Sequence, residues 1–257
     1  MTQSRTVVIG ASSGLGRCIG VGLAKKGGRV ALLARRLDRL QRAAEEAGND
    51  AVALECDICD EGSVRSAVAA AADALGGIDN LIYTPAIGPL VRLVDTDAET
   101  WRRVFDTNVI GAALATAAAV PHLTESSGKV VYLLSDAGTY CPPWPGLGAY
   151  GVSKFAMERL IESWRAEHPD IGFTSLVVGE CAGGEGESMT GMNAGWDMEL
   201  AGKAFPVWTA RGCMPGNLMP VDDLIEIVHT ILSTSATTSM PMVIARGAPG
   251  GTETLPR

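Results

Sequence analysis

The sequence predicts an α/β protein built on a doubly wound parallel sheet. Short apolar runs alternate with helical patterns along the chain, at the period expected of βαβ units. A glycine-rich segment follows the first apolar run, where folds of this class turn from the first strand into the first helix. No linker or change of composition divides the 257 residues, a length that suits one large α/β domain. We therefore expect a single domain over residues 1–257, with helices on both faces of its sheet.

Each element is assigned from its apolar pattern and from the residues that end it. The first helix is expected to end at Gly27-Gly28, because glycine readily adopts the conformation that closes a helix. Pro121 is expected to end a long alanine-rich helix, because proline lacks the N–H that a helix interior needs. The predicted strands are residues 6–9, 29–34, 51–55, 80–83, 128–134, 173–178 and 242–245, and the later predicted helices are residues 39–47, 61–75, 98–120, 148–167 and 221–230.

Residues 183–219 contain many glycines and methionines and show no clean period. A stretch that long in a compact domain is usually a functional lid or a set of short helices over a site. We expect a substrate lid here, in which Trp196, Phe205 and Trp208 close over an apolar substrate. The alternative is ordinary packing of these side chains in an irregular segment.

Composition and charge narrow the function classes. Hydrophobic residues make up 47% of the chain, and the net charge of −8 argues against nucleic-acid binding. The longest uninterrupted apolar runs are about ten residues, which is too short to span a bilayer. The chain enters its first strand within a few residues and shows no secretory signal, so a cytoplasmic location is expected. Cys56-x-x-Cys59 lacks the second pair or histidine cluster that a metal site needs, so we predict free thiols and no metal.

The glycine-rich segment reads Gly10-x-x-x-Gly14-x-Gly16 and opens a helix. Glycines allow a sharp turn and a close approach to the backbone, and the helix N-terminus offers free N–H donors and partial positive charge. A glycine-rich turn of no special use is the alternative, but the position after the first strand favours the pyrophosphate site of a Rossmann-type dinucleotide fold. The predicted cofactor contacts in this segment are Gly10, Ser12, Ser13, Gly14, Leu15 and Gly16.

The end of the second predicted strand indicates which dinucleotide binds. NAD-preferring sites usually place an acid there for the ribose hydroxyl, but this strand ends in Ala34-Arg35-Arg36. Arg35 can fork onto a 2′-phosphate, with Arg36 beside it, whereas Asp38 is better placed to cap the next helix. A solvated basic turn is the alternative reading of the two arginines. The pattern favours NADP over NAD.

Tyr150 and Lys154 lie four residues apart in a predicted helix, so they share one face. A cation beside a phenol favours phenolate and is expected to pull the pKa of Tyr150 towards neutrality. Such a pair can pass a proton to or from a carbonyl or alcohol oxygen near pH 7. Alone the pair is weak evidence, since this spacing occurs by chance on many helices.

Together these motifs resemble the short-chain dehydrogenase/reductase family over nearly the whole chain. The resemblance rests on the Gly10–Gly16 loop, Asp57 after the third strand, Asn108, Ser135 at the end of the fifth strand, and Tyr150 with Lys154. It implies that Asp57 and Ile58 cradle the adenine ring. It also implies homodimers or homotetramers, in which helices such as residues 157–164 and 109–119 form an interface.

The resemblance also implies the catalytic roles. Tyr150 resembles the general acid/base of the family, and Lys154 the residue that binds the nicotinamide ribose and depresses the tyrosine pKa. Ser135 resembles the hydroxyl that holds the substrate oxygen. Asn108 resembles the residue that completes a proton relay through water.

The serine assignment depends on a local alignment. The position 13 residues before Tyr150, where the family usually has its serine, is Ala137. Matching the Ala-Gly that follows the family's serine to Ala137-Gly138 places the serine at Ser135. Residues 139–148 are then two residues longer than usual, and this apolar, proline-stiffened loop should wall the substrate pocket.

Three segments depart from the family pattern without removing a catalytic group. Ile9 stands where a threonine is expected, Tyr83-Thr-Pro-Ala86 replaces Asn-Asn-Ala-Gly, and Val178-Gly179 replaces Pro-Gly. The first change loses a structural hydrogen bond, and the other two alter the walls around the cofactor.

The motifs predict an NADP(H)-dependent oxidoreductase that interconverts a small-molecule carbonyl and an alcohol. The alternative is a non-catalytic protein of the same fold that senses NADP(H). The segments that differ from the family pattern favour this alternative. The retained acid/base tyrosine argues against the sensor.

Overall fold

The computed structural model describes residues 3–139, 142–214, 216–235 and 237–248. Within them a seven-stranded parallel sheet has the order β3-β2-β1-β4-β5-β6-β7. Strands β2 and β3 are added on one side of β1, and β4 to β7 are added on its other side. This confirms the predicted doubly wound Rossmann-type fold. The strands are β1 Arg5–Ile9, β2 Arg29–Ala34, β3 Val52–Glu55, β4 Asn80–Tyr83, β5 Lys129–Ser135, β6 Gly172–Val178 and β7 Met242–Ala245.

The helices of the described residues are α1 Gly14–Lys25, α2 Leu37–Ala47, α3 Glu61–Leu75, α4 Ala98–Phe105, α5 Gly111–Ser126, α6 Asp136–Thr139, α7 Gly148–Glu167, α8 Met198–Ala210 and α9 Val221–Ser233. Helices that pack on the two faces of the sheet present an apolar side to it. Val64 of α3, Ala115 of α5 and Met157 of α7 pack in one core. Ile19 of α1 and Leu224 of α9 pack in the core on the opposite face. Burial of these apolar faces is the main favourable contribution to folding.

The strand register brings the carboxyl ends to one edge of the sheet. Ile9 of β1 pairs with Leu33 of β2 and with Tyr83 of β4. At the other side of the crossover, Ser135 of β5 pairs with Val178 of β6. Ligands of open α/β sheets bind in the crevice at this edge, where the strand order reverses.

The long helix predicted for residues 98–120 is different in the structure. It is three pieces, because a π-helical turn, Asp106–Ile110, separates α4 from α5. Pro121 lies inside α5 and does not end it. The helix continues past the proline because Leu123 in the next turn is fully buried, and packing of an apolar face outweighs local propensity.

The combined run Ala98–Ser126 contains an 18-residue window with a mean hydropathy of 1.3, so by length and composition alone it could cross a membrane. The sequence-based expectation from uninterrupted apolar runs was therefore too narrow. Ala112, Ala115 and Ala119 of this run are fully buried against the sheet. Core helices of this kind pass the same test, so the run is weak evidence for a membrane span.

Residues 183–219 contain a 3₁₀ turn, Gly186–Ser188, and the thirteen-residue helix α8. Trp208 of α8 is almost fully buried, 5.1 Å from Trp144 between ring centroids, and its Nε1 donates to the carbonyl of Pro145. Trp196 donates from Nε1 to the carbonyl of Gly88 at 2.8 Å. The segment is therefore packed against the loops at the carboxyl edge of the sheet.

Candidate active site

The glycine-rich loop between β1 and α1 is held by Thr84, which follows β4. Thr84 Oγ1 donates to the carbonyl of Ile9 at 2.7 Å. A Cβ atom on either Gly10 or Gly16 would clash with that hydroxyl, and Gly10 also has φ +86°, where L side chains are disfavoured. Thr84 belongs to a segment that departs from the family pattern. It supplies a link to Ile9 at the position where the expected threonine is missing.

The N-terminus of α1 fits a pyrophosphate. Ser13 precedes the helix in an extended conformation, and its side chain does not cap the helix end. Gly14 has φ +58°, so the loop depends on a residue without a side chain. Uncapped N–H groups and the helix dipole together favour an anion at this position.

Arg36, and not Arg35, reaches the loop. Its Nη2 donates to Ser12 Oγ at 2.9 Å and to Ser13 Oγ at 2.7 Å. Burial lowers the pKa of Arg36, as do the positive charges of Arg39 and Arg35. Arg35 has no side-chain hydrogen bond to another described residue. The sequence had assigned the fork to Arg35, and the structure gives the position beside the phosphate loop to its neighbour.

The residues after β3 form a compact turn. The Asp57 carboxylate accepts from the backbone N–H of Cys59 at 3.0 Å, and the backbone N–H of Asp57 donates to Ser63 Oγ at 3.0 Å. Ile58 is buried. The turn adjoins the end of β2, since β3 pairs with it. Its predicted contact with an adenine ring stays a prediction.

Helix α7 brings Tyr150 and Lys154 to the carboxyl end of β5, and both are buried. Lys154 Nζ donates to the carbonyl of Leu133 at 2.8 Å and lies 5.7 Å from the centroid of the Tyr150 ring. Ser135, the last residue of β5, is hydrogen-bonded to the Tyr150 side chain. The serine chosen from Ala137-Gly138 is therefore the one that meets the tyrosine.

The prediction that the pKa of Tyr150 is lowered towards neutrality is wrong for this structure. Burial raises the pKa of Tyr150 to about 12, against a lowering effect of the hydrogen bond with Ser135. The nearby carboxylate of Asp136 raises it further. Burial also lowers the pKa of Lys154 to about 7. The lysine is aimed at a backbone carbonyl and is itself desolvated, so it stabilises a phenolate less than a fully charged neighbour would.

Asn108 lies in the π-helical turn and is fully buried. Its Oδ1 accepts from the N–H of Ile87, and its Nδ2 donates to the carbonyl of Ile87 and, at 2.8 Å, to Ser153 Oγ. Ser153 Oγ in turn donates to the Tyr150 carbonyl at 2.7 Å. The Asn108 side chain thus ties α7 to the loop after β4. Its part in a water relay stays a prediction, and sequence reasoning missed Ser153 although it lies within the Tyr150–Lys154 motif.

An apolar cluster surrounds Tyr150. Leu90, Leu147 and Tyr150 are buried members, with Trp144 and Met192 packed on them. A Cβ atom on Gly88 would clash with Met192 and lie 3.1 Å from the Tyr150 ring. The expected wall from the loop before α7 is therefore joined by side chains from residues 183–219.

Cys181 is the described member of the two cysteines that the sequence places near this edge. Burial raises the pKa of Cys181, which disfavours the nucleophilic thiolate. Cys141, also considered from the sequence, lies outside the described residues. In the part of the chain that the structure describes, no three His, Cys, Asp or Glu side chains are grouped for a metal ion.

Known proteins share both sequence and fold with this chain. The profile of the short chain dehydrogenase family matches residues 4–192. Glycine betaine reductase ATRR of Emericella nidulans is 37% identical over 176 residues, which is 67% of this chain and 14% of that protein. For several other curated relatives the match spans at most 59% of their length.

Two solved structures show the fold. An alcohol dehydrogenase from the archaeon Thermococcus sibiricus, in complex with 5-hydroxy-NADP, has a TM-score of 0.80 at 22% identity, over 98% of this chain and 100% of that one. A 3-ketoacyl-(acyl-carrier-protein) reductase from Brucella melitensis, in complex with NADH, has a TM-score of 0.78 at 24% identity, over 94% and 96%.

Proposed function

The chain belongs to the short-chain dehydrogenase family of oxidoreductases, and we propose that it interconverts a carbonyl and an alcohol with NADP(H). One observation carries the proposal. Ser135, Tyr150 and Lys154 meet in a buried cluster at the carboxyl edge of the sheet, and the glycine-rich loop ends at the same edge, one crossover away.

A nicotinamide dinucleotide bound at this edge supplies hydride exchange with the substrate carbon. The protein supplies placement and proton handling. The hydroxyls of Ser135 and Tyr150 are hydrogen-bonded to each other, and both would donate to a carbonyl oxygen that binds beside them. Tyr150 gives its proton to that oxygen in reduction and takes it back in oxidation. Lys154 would hold the nicotinamide ribose.

The choice of NADP rests on charge. Arg36 is fixed against the phosphate loop by Ser12 and Ser13, and β2 ends without an acid. A guanidinium suits a 2′-phosphate because its N–H donors match the phosphate oxygens in pairs. The solved relatives bind either NADH or an NADP derivative, so cofactor preference has to come from this chain's own residues.

The substrate side of the cleft is apolar. Trp144, Met192 and Trp196 pack on the cluster that contains Tyr150, which supports a carbonyl compound with an apolar group beside the carbonyl carbon. The relatives named above include reductases of betaine and ketoacyl substrates, and this variety leaves the substrate to be found by screening. Residues 183–219 would act as its lid.

We also propose a homodimer or homotetramer in the cytoplasm. Val152 and Phe155 project from α7 with 49% and 60% exposure, and two apolar side chains three residues apart share one face of the helix, which a second copy would cover.

A turnover screen tests the proposal. Aldehydes and ketones are incubated with NADPH and, in parallel, with NADH, and loss of reduced-cofactor absorbance is followed for the wild type and Tyr150→Phe. We expect turnover of at least one carbonyl class by the wild type alone, faster with NADPH. Tight NADPH binding without turnover of any carbonyl would favour the sensor. Faster turnover with NADH would refute the assignment of Arg36.

A further inference from the structure

Residues 183–192, called the strap below, lie across the cofactor-binding edge. Thr190 lies close to the N-terminus of α1, where a Cβ atom on Gly14 would be 3.4 Å from the Thr190 Cα atom. Cys18 Sγ of the same helix donates to the carbonyl of Ser188 at 3.5 Å. At the far end of the strap, Met192 packs on Gly88 beside the tyrosine. One segment therefore touches both the phosphate-binding helix end and the catalytic wall.

A single carboxylate, Glu187, fastens the strap to α1 and α2. Arg42 donates to it from Nη2 at 2.7 Å and from Nε at 3.3 Å. Arg39 Nε lies 3.4 Å and Arg17 Nη1 3.6 Å from its oxygens. The hydrogen bond from Arg42 is the main cause that lowers the pKa of Glu187. Three arginines thus share one acid from the strap.

Of these three arginines, Arg39 also belongs to the basic region around Arg36. The positive charge of Arg39 lowers the pKa of Arg36, and the negative charge of Glu187 raises it. Glu187 therefore offsets part of the positive potential beside Arg36. A phosphate monoester brings about −1.5 to −2 charge at neutral pH, so a phosphate on Arg36 and the carboxylate of Glu187 repel one another.

We propose that Glu187 is a specificity-determining residue for the cofactor, because its carboxylate competes with the 2′-phosphate of NADP(H) for the arginines of α1 and α2. The inference rests on the proposed binding of NADP(H) at Arg36. Binding of NADP(H) displaces Glu187 and loosens the strap, whereas NAD(H), which has no 2′-phosphate, leaves the ion pairs in place. The preference for NADP(H) over NAD(H) is thus smaller than it would be without the carboxylate of Glu187.

Glu185 provides a matched control two residues away. It is exposed and on the same strap, and it forms no ion pair with another described residue. Replacing either glutamate by glutamine removes one negative charge from the strap at nearly constant size. Only the change at Glu187 removes an acidic partner that Arg17, Arg39 and Arg42 share, and Arg17 and Arg42 keep their ion pairs with Glu46 and Asp38. General effects of net charge therefore cancel between the two variants.

The test is an equilibrium titration of the wild type, Glu187→Gln and Glu185→Gln with NADPH and with NADH, followed by nicotinamide fluorescence. Ion pairs that reach solvent change an affinity by at most about fivefold. We expect Glu187→Gln to bind NADPH about fivefold more tightly and NADH within twofold of the wild type. Glu185→Gln should match the wild type with both cofactors.

Hydrogen exchange of the strap gives a second readout that needs no turnover. NADPH should raise amide exchange over residues 183–192 in the wild type, and NADH should not. Weaker NADPH binding by Glu187→Gln, or an equal change for both cofactors, would overturn the inference and make Glu187 a latch of a closed lid. If the wild type itself prefers NADH, the proposed function fails. If it prefers NADPH but Glu187→Gln leaves that preference unchanged, only this inference fails.

Discussion

The two halves of the cleft hold their functional side chains in opposite ways. In the proposed catalytic half, Tyr150 and Lys154 are buried, and hydrogen bonds to Ser135 and to the Leu133 carbonyl position them. In the proposed cofactor-selecting half, Arg35, Arg36 and Asp38 are exposed. Burial makes the catalytic geometry part of the fold and shifts its pKa values, whereas the exposed charges are screened by salt. The chemistry should therefore be hard to alter without harming the fold, and the cofactor preference easy.

The largest effect is expected from Tyr150→Phe. The change removes the hydroxyl that exchanges a proton with the substrate oxygen, and general acid–base catalysis contributes about 10²- to 10⁴-fold. We expect kcat to fall by about 10³-fold while the affinity for NADPH stays within twofold. Steady-state rates and a binding titration measure the two quantities. A variant with more than a tenth of the wild-type kcat would show that another group supplies the proton.

Lys154→Met separates burial from charge in the catalytic half. Burial lowers the pKa of Lys154 to about 7, so between about pH 7 and its usual value near 10.5 the unfolded chain binds the extra proton. Stability contributed by this site therefore rises with pH across that window. We compare the free energies of unfolding of the wild type and of Lys154→Met. Their difference should shift in favour of the wild type by on the order of a few kcal/mol between pH 7 and 10.

Urea denaturation at several pH values measures this difference, and Lys203→Met serves as the control because the Lys203 side chain is exposed. A difference that stays flat with pH would show that Lys154 is solvated in the native state. In that case the burial of the catalytic half would not set its charge.

Arg36→Ala probes the other half. Loss of a guanidinium that forks onto phosphate should weaken NADPH binding by about tenfold and leave NADH within twofold. Arg35→Ala is the matched control, with an expected change below threefold for either cofactor. Titrations at low and at high salt should show the difference between the cofactors shrinking as charges are screened. A larger loss in Arg35→Ala than in Arg36→Ala would return the phosphate contact to Arg35.

Ser153→Ala is expected to have the smallest effect. Ser153 touches neither proposed substrate nor cofactor, but it joins Asn108 to the Tyr150 carbonyl. We expect kcat to fall by about threefold to tenfold, since a net hydrogen bond is worth about 1 kcal/mol. Ser153→Thr, which keeps the hydroxyl, should recover part of the loss. Equal rates in all three proteins would show that the tie does not position the tyrosine.

The sequence predicted elements whose ends are set locally. Helix α3 begins where the Asp60 side chain accepts from the N–H of Ser63 and ends at Gly76 in the left-handed conformation, and its predicted bounds are those observed. The catalytic helix was also predicted with its observed bounds. The π-helical turn around Asn108 could not be predicted in this way, because its contacts with Ile87 and Ser153 join distant parts of the chain.

Some site residues were missed for the same reason, because their contacts join distant parts of the chain. Thr84 stands in a segment that looked like a loss, and only the three-dimensional structure places its hydroxyl between the loop glycines. The choice between Arg35 and Arg36 depends on which side chain turns towards the loop. Glu187 is more than 140 residues from its partner Arg42, and an exposed acid in an irregular segment carries no local signal.

The division between a buried catalytic half and an exposed cofactor-selecting half is tested most directly by a crossed measurement on Tyr150→Phe, Arg36→Ala and the double variant. For each protein, kcat at saturating NADPH and the Kd values of NADPH and NADH are determined. We expect Tyr150→Phe to lose only kcat, Arg36→Ala to lose only the preference for NADPH, and the double variant to show the sum of both free-energy changes. A loss of kcat in Arg36→Ala, or of NADPH preference in Tyr150→Phe, would contradict the division.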